Sequence, residues 1–201
     1  VAIGTVAATD ADGDSVTYTA SGSDILIDSG TGVIAFSSAP DYETKISFTS
    51  TVTATDGLNS STQDITIAVN NLNDNSPVLA SVTDFTIDEN TSAVGTISGS
   101  DADGDVLEYL INGTDADSLS IDSGSGVLSF NETTDYETKT SYSLNVVIND
   151  GVNSVTNAAT ISINNLNDNS PIFSSAETFS IAENESDIGT ALATDADTDS
   201  I

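Results

Sequence analysis

Cysteine, histidine, arginine and tryptophan are absent from this 201-residue chain, and Lys45 and Lys139 are its whole complement of basic side chains. Without cysteine there is neither a disulfide framework nor thiolate metal ligation. Without histidine, cysteine or arginine there is no evident acid–base pair or nucleophile, so the chain is not expected to be an enzyme. Aromatic residues make up 5% of the sequence, which leaves a lean core and predicts domains of moderate stability on their own. No apolar run of transmembrane length, signal peptide or lipidation motif occurs, and no direct membrane insertion is expected of this segment.

What is abundant is acid. Thirty-two Asp and Glu residues give a formal net charge of -30. A field of that sign repels nucleic acid and anionic membrane surfaces, so neither is an expected partner. It also opposes compaction unless a solvated acidic surface or bound cations offset it. Both offsets are open on composition alone.

The acid is patterned. Asn71-Leu72-Asn73-Asp74-Asn75-Ser76-Pro77 recurs 94 positions later as Asn165-Leu166-Asn167-Asp168-Asn169-Ser170-Pro171. Asp41-Tyr42-Glu43-Thr44-Lys45 recurs at Asp135 to Lys139, and Asp10-Ala11-Asp12-Gly13-Asp14 recurs at Asp101 to Asp105 and, with Thr198 for Gly, at Asp195 to Asp199. Self-similarity at a fixed period marks an array of one domain type. The expected division is a first domain over 1–76 lacking its opening strand, a complete domain over 77–170, and the N-terminal part of a third over 171–201.

Within the complete repeat, short alternating segments separated by turn residues predict strands. They run over Thr83–Asp88, Val94–Ser98, Val106–Ile111, Leu119–Ile121 and Val127–Phe130. Two more follow, through Tyr142, Leu144, Val146 and Ile148, and through Ala159, Ile161 and Ile163. The first repeat carries the same apolar positions from Ile25 to Val69. Thr, Val, Ile and Ser favour strands, and the strict alternation argues against a disordered acidic chain. Seven strands in this length predict an all-β fold of tandem antiparallel sandwiches.

Asp-x-Asp at a strand end projects two carboxylates to one side of a turn, and Asn-Asp-Asn adds a carboxylate, two amide oxygens and free carbonyls. Such oxygen-only sets suit calcium, which takes six to eight oxygens in irregular geometry, better than magnesium, which wants a compact octahedron. Taken singly, each cluster is better read as what turns select for; four different clusters repeated in one order point to metal. An EF-hand is excluded, because its sixth and twelfth positions, Gly and Glu, would fall on Val106 and Asn112 counting from Asp101.

These residues, in this order, resemble the cadherin repeat over essentially the whole chain. The matching motifs are Glu89 and Glu183 after opening strands, the Asp-x-Asp pairs Asp10/Asp12, Asp101/Asp103 and Asp195/Asp197, and Asp-Tyr-Glu at Asp41/Glu43 and Asp135/Glu137 in place of Asp-Arg-Glu. Asp56 closes an Ala-x-Asp motif, which loosens to Ile148-Asn149-Asp150 in the next repeat. The interdomain string opens on Asn71 and Asn165 in place of Asp.

The resemblance implies immunoglobulin-like, seven-stranded Greek-key sandwiches with calcium, typically three ions, bound between consecutive repeats. It implies a first junction built from Asp41, Glu43, Asn73, Asp74, Asp101, Asp103 and Asp150, with carbonyls from Leu72 and Asn75. A second would use Glu89, Asp135, Glu137, Asn167, Asp168, Asp195 and Asp197, with carbonyls from Leu166 and Asn169. Asp10, Asp12 and Asp56 would serve a junction before residue 1, and Glu183 one after residue 201.

The function so implied is a calcium-rigidified spacer in an extracellular, cell-surface adhesin of bacterial type, its partners being calcium, neighbouring cadherin-like domains and other copies of itself. Adhesion by exchange of a Trp-bearing strand, as in animal cadherins, is not expected without Trp. Two alternatives stand beside this reading. One is a binding module for carbohydrate or partner domains, for which few aromatic platforms such as Tyr18 and Tyr109 are present. The other is a filament subunit, in which the opening strand at 171–184 of one chain completes the first domain of the next by strand addition.

Overall fold

The computed structural model describes residues 2–198. Asp199, the last member of the third acidic run, lies outside the described residues. The chain forms two compact units that meet in sequence at Asn73 and Asp74.

Unit 1 contains β1 (Ala2–Thr5), β2 (Thr17–Ala20), β3 (Ile25–Ile27), β4 (Val33–Phe36), β5 (Ser47–Thr55) and β6 (Ser60–Ala68). They form two three-stranded sheets, β1-β4-β3 and β2-β5-β6. Alternation sets which faces are buried: Tyr18, Ile25, Ile34 and Val52 form the core, while Thr49 of β5 faces solvent. Phe36 and Phe48 meet edge to face at 4.8 Å. Lys45 lies over the Phe48 ring at 4.1 Å and pairs with Asp24 at 2.8 Å.

Unit 2 contains β7 (Val78–Leu79), β8 (Asp84–Asp88), β9 (Ala93–Thr96), β10 (Gly99–Ser100), β11 (Glu108–Asn112) and, after one 3₁₀ turn at Ala116–Ser118, β12 (Leu119–Ile121) and β13 (Val127–Phe130). The long hairpin β14 (Ser141–Asn149) and β15 (Ser154–Asn164) follows, then β16 (Ile172–Phe173) and β17 (Ala193–Thr194). A four-stranded sheet in the order β11-β14-β15-β8 faces a three-stranded sheet in the order β12-β13-β9. Leu144, Val146 and Ile148 alternate inward from β14, and Ala159, Ile161 and Ile163 do so from β15. They close on Ile97, Leu119, Leu128 and Phe130. Each fully buried Leu, Ile or Val side chain there contributes about 1.5–3 kcal/mol relative to an exposed one.

This is the sandwich that the alternation predicts, in the Greek-key form that the resemblance implies, with three differences. Pairing is not antiparallel throughout: β8 runs parallel to β15, Asp84 opposite Thr160 and Asp88 opposite Asn164. The opening segment is also split. Its first part, β7, pairs with β10 before the chain crosses to β15. The strand expected from Val106 begins at Glu108 instead, where pairing with Asn149 starts; Val106 is left exposed at the acidic loop.

Two glycines are obligatory in the same way: Gly32 in unit 1, where a Cβ would stand 2.1 Å from the Val6 carbonyl oxygen, and Gly126 in unit 2. Gly126, in the turn before β13, has φ 71°, and a Cβ there would stand 2.1 Å from the Ile97 carbonyl oxygen. The Gly126 carbonyl in turn accepts the Ile97 N–H at 2.8 Å. Only a residue without a side chain allows that approach.

Candidate metal centre

The predicted ligands of the second junction all fall within unit 2 and come from four separate stretches of sequence. β8 ends at Asp88, so Glu89 is the first residue past the strand, and it is 1% exposed. A buried carboxylate needs partners. Glu89 has them: Oε2 accepts the Tyr136 N–H and Oε1 the Leu166 N–H, each at 2.7 Å. This one side chain therefore ties the Asp135-Tyr136-Glu137 turn and the Asn165–Pro171 string to the end of the first long strand.

Around it, oxygens of Glu89, Glu137 and Asp168 all lie within 4.8 Å of one another. Asp197 completes the arrangement from the third acidic run. Its Oδ2 accepts the N–H groups of Asp168 at 3.0 Å and Asn169 at 2.7 Å, and its Oδ1 accepts the Asn169 amide at 2.8 Å. The Asp195 carboxylate holds the loop by accepting the Asp197 N–H at 3.0 Å. Asn165 donates its amide to the Asp197 carbonyl at 2.8 Å, and its side-chain oxygen is buried with no donor against it.

The electrostatics follow from crowding. Partial loss of hydration among its neighbours, then the negative charges of Glu89 and Asp197, raise the Glu137 carboxyl above its ordinary value. The Asn169 amide and the two backbone N–H groups lower that of Asp197. Asp135 is held in its own turn, where the Thr138 hydroxyl at 2.8 Å lowers it. Asn167 is exposed in the string, and Glu183 is exposed outside these clusters.

The first acidic run of unit 2 repeats the design. Oxygens of Asp101, Asp103 and Asp105 lie within 4.8 Å of one another. Asp103 Oδ2 accepts the N–H groups of Asp74 at 3.0 Å and Asn75 at 2.8 Å. The buried Asp150 caps its own turn, accepting the N–H groups of Val152 and Asn153. Asn153 then donates to the Asn75 carbonyl at 2.9 Å. Burial, followed by the charges of Asp101, Asp103 and Asp150, raises the Asp105 carboxyl.

Asp101 Oδ2 and Asp105 Oδ2 are buried without a hydrogen-bond donor. Such oxygens are costly unless a cation faces them. An all-oxygen set with orphaned acceptors and several carboxylates in contact fits a hard divalent ion of calcium's size and irregular coordination.

In unit 1, Asp10 and Asp56 line one concavity of about 180 Å³. Asp10 Oδ1 accepts the N–H groups of Asp12 and Asp14. Asp56 accepts those of Leu58 and Asn59, which lower its carboxyl. Asp41 is exposed and closes a turn on the Glu43 N–H and the Thr44 hydroxyl, the latter lowering it most. Exposed Leu72 and half-buried Asn73 end the unit.

Sequence reasoning passed over Asp105, Asn90, Asn153 and the Asn165 side chain. Asp105 had a legible signal, being the third Asp of a repeated run. The asparagines act through contacts 32 to 78 positions away in sequence, which no local pattern announces.

No family model matches the chain. Human Protocadherin Fat 4 is 33% identical over 198 residues, which is 90% of this chain and 4% of that protein. Human Protocadherin Fat 1 is 34% identical over 164 residues, 74% of this chain and 4% of that protein. The chain thus spans about 4% of the length of these curated relatives. The crystal structure of mouse Cadherin-23 EC22-24 superposes with a TM-score of 0.75 at 25% identity, over 97% of this chain and 70% of that one.

Proposed function

The chain being a run of extracellular cadherin repeats and not an enzyme, we propose that it is a calcium-rigidified spacer segment of an adhesion protein. The observation that carries this reading is the buried Glu89 with Glu137 and Asp168, their oxygens within 4.8 Å of one another. Three carboxylates from separate stretches of sequence are drawn together with no Lys among them, since both lysines pair elsewhere.

Calcium, when bound, supplies the positive charge that this cluster lacks and joins the stretches that carry its ligands. The residues that would hold it at the second junction are Glu89, Glu137, Asp168, Asp195 and Asp197, with oxygens of Asn167 and of the string from Leu166 to Asn169. At the acidic run of the complete repeat they are Asp101, Asp103, Asp150 and Asp105. Glu89 positions the turn and the string through two backbone N–H groups, so its carboxylate is fixed before any ion arrives. Asp197 does the same for Asp168 and Asn169. Repulsion among the carboxylates otherwise favours opening of the string at 165–171; neutralisation makes that linkage rigid.

The test is calorimetric titration of the chain with calcium chloride, with thermal unfolding followed in calcium and in chelator. Calcium at a hundred times its dissociation constant adds about 2.7 kcal/mol per site, or roughly 10 °C in Tm for a domain of this size. Magnesium at the same concentration is expected to do far less. Equal melting in chelator and calcium, with no heat of binding, rejects the proposal.

A further inference from the structure

Asn90 follows Glu89 and holds a left-handed backbone conformation, with φ 65°. Asparagine tolerates that region better than most residues with a side chain. Its amide nitrogen donates to Asp168 Oδ2, 78 positions away in sequence. The other oxygen of the same carboxylate, Oδ1, accepts the Asn169 amide at 2.9 Å.

The three acidic side chains of this cluster are secured in different ways. Glu89 is buried and fixed by backbone N–H groups on both oxygens. Glu137 and Asp168 are exposed. An exposed carboxylate rotates freely unless something holds it, and for Asp168 the holding groups are two amides, one of them from a different strand end.

We propose that Asn90 is a positioning residue for cation binding at this cluster, an inference that rests on the calcium reading above. It does not touch the ion. Its N–H occupies one lone pair of Asp168 Oδ2 and leaves the remaining acceptor capacity of the carboxylate for the metal. Holding the carboxylate beforehand removes rotational freedom that binding would otherwise have to remove. Outer groups that orient metal ligands in this way change affinity typically by about 10–100-fold when deleted.

Asn184 is an internal control. It occupies the equivalent place 94 positions on, after Glu183, with φ 72°. It is exposed and is not part of the cluster.

The experiment is calcium titration by calorimetry on the 201-residue chain and on Asn90→Gly, Asn90→Ala and Asn184→Gly. Glycine accepts the left-handed backbone without strain; alanine removes the same amide should glycine loosen the turn. Circular dichroism and metal-free melting report the fold of each variant. The expected result is calcium binding at this cluster about tenfold weaker or more in both Asn90 variants, with metal-free melting little changed and Asn184→Gly like the parent. Parent-like or tighter calcium binding in Asn90→Gly overturns the role of Asn90 while leaving the calcium reading intact. Weakening matched by an equal loss of metal-free fold also overturns it, because a merely structural residue would behave so. If the parent takes up no calcium, both readings fall.

Discussion

Asp103 and Asp197 stand 94 positions apart and make the same bonds. Each accepts, on Oδ2, the N–H groups of the Asp and the Asn that lie 29 and 28 positions before it, and on Oδ1 the amide of that Asn. Each in turn gives its own N–H to the Asp two positions before it. The Asp-x-Asp loop and the Asn-Asp-Asn string are therefore one hydrogen-bonded device, assembled twice.

Removing either carboxylate orphans two backbone N–H groups. Asp103→Ala and Asp197→Ala are each expected to lower the melting temperature even in chelator. The hydrogen bonds described above tie them to different residues, so their losses are expected to add in the double variant. Melting curves of the four chains, with and without calcium, check this.

Glu89→Ala is expected to be the most damaging single change at the second cluster. It leaves the N–H groups of Tyr136 and Leu166 without their acceptors in a part-buried setting, at up to about 1–3 kcal/mol for each unsatisfied group. Urea unfolding in chelator measures the loss. Glu89→Gln retains one acceptor oxygen and is expected to recover part of it.

Thr198 occupies, at φ 65°, the place that Gly104 takes at φ 79° in the preceding repeat. Left-handed backbone costs a residue with a side chain about 1–2 kcal/mol, and a Cβ at Gly104 would meet nothing within 4 Å. Gly104→Thr is accordingly expected to destabilise unit 2 by about that amount through backbone conformation alone. Thr198→Gly is expected to relieve strain in its loop and strengthen protection of the Asp168 and Asn169 amides, which hydrogen exchange would report.

Asp115 accepts the ammonium of Lys139 and, at 2.7 Å, the Ser143 N–H. The lysine, first, and then the backbone group hold its carboxyl below the ordinary value. A folded-state pKa below the unfolded one contributes stability that is complete above the unfolded value, near 3.9, and is lost as pH falls through the lowered one. Asp115→Asn is expected to reduce stability at neutral pH and to flatten the acid limb of the stability curve below about pH 4. Chemical unfolding at a series of pH values checks both.

Much of this was written in the sequence. The strands of β14 and β15 follow from strict alternation at Leu144 to Ile148 and Ala159 to Ile163, because a period of two with one buried face leaves no other register. Glu89, Glu137 and Asp168 stood out as candidates through the resemblance that their ordered motifs carry, and the fold brings their oxygens within 4.8 Å of one another. What was hidden depends on partners far along the chain. The parallel course of β8 on β15 joins segments some 76 positions apart, and alternation specifies which face is buried but not which neighbour lies alongside. The donor role of Asn90 was equally silent, since an Asn after a strand serves a turn whether or not its amide finds a carboxylate.

The parallel pair has a mechanical consequence. β8, the second part of the split opening segment, and the closing strand β15 run side by side in the same direction over five paired residues. Tension applied at the two ends of such a repeat slides one strand along the other. Every rung of that ladder then bears load together, where a hairpin would unzip one rung at a time. A repeat wired this way yields late and all at once under pulling.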